Sequence, residues 1–304
     1  MRILVAGWFS FEDMGATAGD IIARETICQW LNEAGVKWEV ADCCKFPFEG
    51  GVSWRQVNPN NYTDLLFVCG PFGNGWPVTE LLQHFSNCRL IGINLSLMES
   101  LAVWNPFSLL IERDSSRKNN PDLTFAGKPP VVPVAGVILS HKQKEYGARS
   151  LHGSANASIE KLLSSVEAAR VTIDTSLLNN EGGLRTAGEI ESLIAKMDIV
   201  ITTRLHGTVL AIKNGIPVIP IDPIEGGAKI SQQVTALSWP LLFNAASIDE
   251  TKLTEAFHYC LTLQARSKAS ECAAIAVKKI GEIKEDFFRQ LFSLTKKKFA
   301  YDGN

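Results

Sequence analysis

The sequence predicts an α/β protein of two strand–helix domains followed by a helical tail. Three observations carry that prediction. Short apolar runs alternate with helical stretches over the first 112 residues, the alternation restarts after Gly127-Lys128-Pro129-Pro130, and from Ala273 onward apolar residues recur three or four apart. Alternation of this kind implies mostly parallel sheets covered on both faces. At 304 residues the chain sits at the top of the single-domain range, so two ordinary domains are expected.

In the first half, strands are predicted at 2–7, 37–41, 64–70 and 89–95, and helices at 18–34, 78–85 and 106–112. Gly35 supplies the left-handed residue that ends the first helix. The segment 44–62, rich in Pro, Gly, Asn and aromatics, reads as a long irregular excursion. Gly127 to Pro130, with Pro133 after it, reads as a linker. Beyond it, strands are predicted at 135–139, 171–174, 199–202 and 241–244, and helices at 157–169, 187–196 and 229–237. In the tail, Val277, Ile280, Ile283, Phe287, Leu291 and Leu294 form one stripe that is expected to be buried. Lys296-Lys297-Lys298 reads as a solvated helix end.

Composition narrows the function classes. A hydrophobic content of 46% suits a protein with a full core. A net charge of −2 argues against a nucleic-acid partner, so any anion site must be local. No apolar run approaches the ~20 residues of a membrane helix. Arg2, the apolar run to Phe11 and Ala16-Thr17-Ala18 imitate a secretory leader, but Glu12 and Asp13 interrupt it, and a first strand fits better. Seven cysteines with no CxxC pair, and Cys43 next to Cys44, suggest neither a disulfide framework nor zinc. A reduced, cytoplasmic, metal-free protein is expected, and a homo-oligomer is compatible with this.

The most informative stretch runs from Asp198 to Pro220: a buried strand, a polar turn bearing Thr203, Arg204 and His206, a short helix and a second buried strand. Ligands of open α/β sheets bind outside the carboxyl ends of strands, and a helix N-terminus there favours anions. A solvated loop with two polar residues is the plainer alternative. Asp198, Thr203-Arg204-Leu205-His206-Gly207 and Gly215-Ile216-Pro217-Val218-Ile219, with Lys229 beyond, resemble the C-terminal signature of the polysaccharide pyruvyl transferases. The resemblance is strongest over about 185–240 and thinner from 1 to 115. Enzymes of that family transfer the enolpyruvyl unit of phosphoenolpyruvate to sugar hydroxyls as a ketal, in the synthesis of surface polysaccharides such as exopolysaccharide.

The resemblance implies a small-molecule donor, a glycan acceptor and no cofactor beyond phosphoenolpyruvate as substrate. It assigns Arg204 to the donor's carboxylate or phosphate, because a guanidinium donates two parallel hydrogen bonds. Lys229 is a second, point-charge contact, with Thr203 and Gly207 beside it. His206 is the acid that protonates the methylene carbon. A helix N-terminus disfavours imidazolium and an incoming dianion favours it, so the acid is expected to be armed by the donor. A histidine that merely caps the helix is the alternative.

In the N-terminal half, Gly7-Trp8-Phe9, Gly15 and Gly19-Asp20 resemble the family's opening loop. Asp20 would bind or deprotonate an acceptor hydroxyl, or only favour the helix dipole. Gly70, in Cys69-Gly70-Pro71, matches a paired-glycine position where a backbone approaches a ligand, or is a flexible turn. Arg113-Asp114 with Ser115-Ser116 resembles the family's Arg-Asp-x-x-Ser element with altered spacing, or is an ordinary ion pair. Two departures stand out. Thr17-Ala18 replaces an asparagine, and Ser140-His141-Lys142 stands where relatives carry an arginine; Lys142 would substitute the charge but not the bidentate fork, which implies altered or lost donor binding.

The whole reads as two Rossmann-like domains in a GT-B-like arrangement with a C-terminal helical segment. Residues 1–127 are the acceptor side, 128–248 carry the Arg-Leu-His motif, and 249–304 are a tail expected to pack across the domains. A GT-B-type glycosyltransferase using a nucleotide sugar, or a non-catalytic glycan- or anion-binding relative, remains open at this stage.

Overall fold

The computed structural model describes residues 1–12, 15–44, 50–140, 144–178 and 180–301. The chain divides into two compact units, Met1–Pro130 and Val131–Asn304. The first contains β1 (Arg2–Gly7), α1 (Ala18–Glu33), β2 (Lys37–Asp42), β3 (Asp64–Val68), β4 (Pro71–Phe72), α2 (Val78–His84), β5 (Arg89–Ile93), β6 (Ser96–Leu97) and β7 (Leu109–Ile111). Five of these strands make one parallel sheet in the order β2-β1-β3-β5-β7, and β4 pairs with β6 separately. Alternate residues of β1 serve opposite faces. Leu4 and Ala6 join Leu65 and Phe67 in one cluster, while Ile3 and Val5 join Leu66 and Val68 in another. Both faces are thus covered, as a parallel sheet requires.

The second unit contains β8 (Val134–Ile138), α3 (His152–Ser165), β9 (Ala169–Thr172), α4 (Ala187–Ile194), β10 (Ile199–Thr202), α5 (Leu205–Lys213), β11 (Val218–Asp222), α6 (Lys229–Leu237), β12 (Phe243–Asn244), α7 (Glu250–Cys260) and α8 (Leu263–Tyr301). Its parallel sheet runs β12-β11-β10-β8-β9. β10 is the middle strand and is wholly buried.

In both sheets the strand order, counted in sequence, is second, first, third, fourth, fifth. The chain therefore winds away in opposite senses from the first and third strands, which opens a crevice at their carboxyl ends. In the second unit that switch point lies between β8 and β10. Two Rossmann-like units followed by a helical segment are what the sequence predicts.

Local chemistry explains the helix ends. Thr17 and Asp20 form a capping box on α1, and Thr186 and Glu189 form another on α4. Gly35, at φ +66°, follows the end of α1 as expected.

Several expectations are corrected. Residues 106–112 are not a helix: Leu109–Ile111 is β7, paired with β5. A short apolar run has no periodicity to separate the two, and here the open sheet edge decides it. The helix expected at 157–169 is α3, which begins and ends earlier, and β9 starts at Ala169. The tail stripe is exposed rather than buried, with Val277 71%, Ile283 61% and Phe287 57% accessible. Only the start of α8 reaches the core, through Ala265, Ala269 and Cys272. At 39 residues α8 is about 58 Å long, more than the elements it rests on, α5, α6 and α7, can cover. Among the described residues no helix is long and apolar enough to cross a membrane. All seven cysteines are thiols.

Candidate active site

The site grows from the strand ends at the switch point of the second unit. Thr202 and Thr203 close β10 and tie it to β8. Thr202 Oγ1 donates to Ile138 O (2.8 Å), Thr203 Oγ1 accepts from Ser140 N (2.8 Å), and Ser140 Oγ donates to Thr203 O (2.8 Å). Thr203 is 2% exposed with its hydroxyl engaged, so it fastens the strand ends at the floor of the site. Gly207 lets α5 settle onto β10, because a Cβ there would collide with Thr202 Oγ1 and come 3.0 Å from Thr202 Cβ.

Arg204 is the residue before α5 and caps it with no side-chain bond, and no described residue fills the first turn, whose N–H groups suit an anion. Its guanidinium is half-buried. Nη1 donates to Asp174 Oδ1 and Thr175 Oγ1, both at 2.9 Å, while Nε and Nη2 have no partner among the described residues. His206, two residues on, is exposed, and among the described residues nothing hydrogen-bonds its ring. The helix-capping alternative for His206 is thereby not what the geometry shows.

The N-terminus of α6 is arranged differently. The buried Asp222 carboxylate already fills it, accepting from Ala228 N (2.7 Å), Ser231 N (3.0 Å) and Ser231 Oγ (2.6 Å). Of the two helix starts at the site, that of α5 has no such acceptor among the described residues. Lys229, first residue of α6, is exposed, with Nζ 5.7 Å from the Tyr146 ring centre. The rim is zipped by Arg149, which donates to Glu225 O (2.7 Å), and by Leu151 N donating to Pro223 O (2.8 Å).

These groups line one open hollow of about 480 Å³, whose wall includes Ser140, Tyr146, Thr175, Arg204, His206 and Lys229. The structure therefore brings together Thr203, Arg204, His206 and Lys229. Gly207 lies beneath, as packing. Lys142 falls outside the described residues. Among the described residues no group of His, Cys, Asp and Glu could hold a metal ion.

The remaining predicted residues belong to the first unit. Asp20 is committed to the capping box, with Oδ2 accepting from Thr17 N (2.8 Å) and Thr17 Oγ1 (2.7 Å); Gly19 precedes it on α1. Gly70, at φ +73°, has the Trp8 ring where a Cβ would stand, so its glycine serves packing. Arg113 is spent on Asp122 (2.9 Å), Asp114 (2.9 Å) and Ser96 Oγ. Hydrogen bonds to Asp122 and Asp114 hold its guanidinium above the ordinary range. The ion-pair alternative is the observed one.

Sequence reading missed Asp174, Thr175, Tyr146 and Asp222. Two of them carried a usable signal: Asp174 and Asp222 stand at or just past the ends of predicted strands, where the carboxyl-end rule applies. Tyr146 carried none, since it reaches the hollow from a short 3-10 helical segment, Lys144–Arg149, that has no sequence period.

None of the curated protein sequences matches the chain. Solved structures to which it is similar include the spinosyn rhamnosyltransferase SpnG complexed with thymidine diphosphate, at 12% identity and TM-score 0.31, covering 90% of this chain and 95% of that one. MurG of Acinetobacter baumannii is another, at 8% identity and TM-score 0.33, covering 90% and 94%. The UDP-GlcNAc 2-epimerase of Methanocaldococcus jannaschii, in complex with UDP-GlcNAc and UDP, is a third, at 11% identity and TM-score 0.31, covering 91% and 100%. At such values these likenesses carry nothing about activity. The sequence model of the polysaccharide pyruvyl transferase family matches residues 119–224, about a third of the chain. The polysaccharide pyruvyl transferase family is thus the one that this segment matches, and Ser140, Asp174, Arg204, His206 and Asp222 all lie within it.

Proposed function

We propose that the protein is a transferase that moves the enolpyruvyl group of phosphoenolpyruvate onto sugar hydroxyls of a surface polysaccharide or its precursor. The observation that carries this reading is the open hollow in which Arg204, His206 and Lys229 stand around the unfilled N-terminus of α5. A donor bearing a carboxylate and a phosphate needs two anion seats beside one acid, and the chemistry of these residues suits those tasks.

In this reading the free Nε–Nη2 edge of Arg204 takes the carboxylate. The first-turn N–H groups of α5 and Lys229 take the phosphate. His206 gives a proton to the methylene carbon, which becomes the methyl group, and an acceptor hydroxyl attacks the neighbouring carbon. The carbon–oxygen bond to phosphate then breaks, and a second hydroxyl closes the ketal. Of the two hydroxyl protons, one restores His206 and the other leaves with inorganic phosphate. The chain's own task is to orient the donor and to deliver that first proton.

The test is release of inorganic phosphate from phosphoenolpyruvate against a panel of hexose- and hexosamine-containing acceptors. Acceptor-dependent release, with a ketal-linked pyruvate in the product, is the expected result. Saturable binding of UDP- or GDP-sugars, with no response to phosphoenolpyruvate, would replace this reading with glycosyl transfer.

A further inference from the structure

Arg204 is not a loose cation. Its Nη1 is held on one side by Asp174 Oδ1 and on the other by Thr175 Oγ1, both at 2.9 Å. Asp174 is itself fixed, since its Oδ1 also accepts from Ser176 N (2.8 Å) and its backbone carbonyl accepts from Asn180 Nδ2 (2.9 Å). Asn180 Nδ2 reaches Ser176 O as well (2.7 Å), so the strand-end loop that carries Asp174 is pinned at both ends. Thr175 lines the hollow, and Asp174 is not among the lining residues.

A guanidinium recognises a carboxylate through two parallel N–H groups on one planar edge. Holding Nη1 fixes the plane and leaves the Nε–Nη2 edge facing away from the clamp. A free arginine would surrender rotamer freedom each time a ligand bound; a clamped one has surrendered it on folding. The choice of an aspartate needs this explanation, because its negative charge repels an anionic ligand and so works against affinity.

We propose that Asp174, assisted by Thr175, is a positioning residue that sets Arg204 to receive the carboxylate of the donor. The inference rests on the phosphoenolpyruvate reading and names residues for which the family resemblance gave no role. Asp174 touches no substrate; it acts through Arg204.

The test is calorimetric binding of phosphoenolpyruvate, with inorganic phosphate as the comparison ligand, to wild type, Asp174→Ala, Asp174→Asn and Thr175→Val. Asp174→Ala weakens phosphoenolpyruvate binding by about tenfold, the scale of one lost hydrogen bond to a charged group, and leaves phosphate binding within about twofold. Asp174→Asn keeps the oxygen acceptor without the charge and restores most of the affinity. In an Arg204→Lys background, Asp174→Ala adds less than about twofold, because the group it positions is gone. A role confined to loop stability predicts the opposite: equal losses for phosphate and phosphoenolpyruvate, and full additivity with Arg204→Lys.

If Asp174→Ala does not fold, Thr175→Val carries the same comparison, with a loss of about threefold expected. Wild-type affinity in either folded variant, or equal losses for phosphate and phosphoenolpyruvate, overturns the inference while leaving the donor assignment standing. Failure of the wild type to bind phosphoenolpyruvate at all overturns the donor assignment and the inference with it.

Discussion

Arg204 and His206 stand two residues apart on one turn, and the protein treats them in opposite ways. One nitrogen of Arg204 is tied to Asp174 and Thr175, whereas the ring of His206 is exposed with no hydrogen bond to any described residue. An exposed histidine at an open helix start adds nothing to packing, so removing it separates chemistry from stability. His206→Ala lowers acceptor-dependent phosphate release by about 10²–10⁴-fold, the usual worth of a general acid. The thermal midpoint of that variant stays within a degree or two of wild type; unchanged turnover would remove His206 from the mechanism. Arg204→Lys keeps the charge but loses the fork, so the dissociation constant for phosphoenolpyruvate rises by about tenfold in calorimetry. An unchanged constant would place the carboxylate elsewhere.

At the scale of elements, α5 is held against β10 by the absence of a side chain at Gly207. Gly207→Ala forces apart two elements whose contact sets the position of Arg204 and His206. It destabilises by about 1–3 kcal/mol, measured in urea unfolding, and reduces turnover more than its mild chemistry suggests. Wild-type stability would mean that α5 moves freely.

The same block shows how much of the fold the sequence disclosed. β10 and α6 have the expected bounds because one is a continuous apolar run and the other an amphipathic stretch, and each is bounded by polar residues. The sequence of β7 does not distinguish strand from helix, because seven residues carry no usable period, and its pairing with β5 makes it a strand. The stripe of α8 is apolar, as its period says, yet it is exposed. Periodicity reports which face is apolar and says nothing of whether a partner surface exists. At the site, Arg204 and His206 were legible because adjacent residues share a turn. Asp174 comes 30 positions earlier and meets Arg204 only through the order of β9, β8 and β10.

For the whole molecule, acid sensitivity follows from buried carboxylates. Glu112, 2% exposed, accepts from Arg117 Nε and Nη2 and from Ser115 Oγ, each at 3.0 Å. The hydrogen bonds from Arg117, chiefly, hold its carboxyl down at about 2. A carboxyl held low in the folded state stabilises fully above its unfolded value, near 4.3, and loses that contribution as pH falls toward 2. Because Arg117 is mostly exposed, the contribution is on the order of 2 kcal/mol. Glu112→Gln therefore unfolds more readily than wild type at pH 7, and the gap closes between about pH 4.3 and 2 in chemical denaturation. A gap independent of pH would show that Glu112 acts through packing alone.

Each unit presents a strand switch point, yet the Arg-Leu-His turn belongs to the second, and the account rests on that turn receiving a small dianion. Calorimetric titration of phosphoenolpyruvate into the wild type and into Arg204→Ala tests this directly. The account predicts saturable one-site binding to the wild type, with a loss of about a hundredfold or more in the variant. No binding to the wild type, or equal affinity in both proteins, would contradict it.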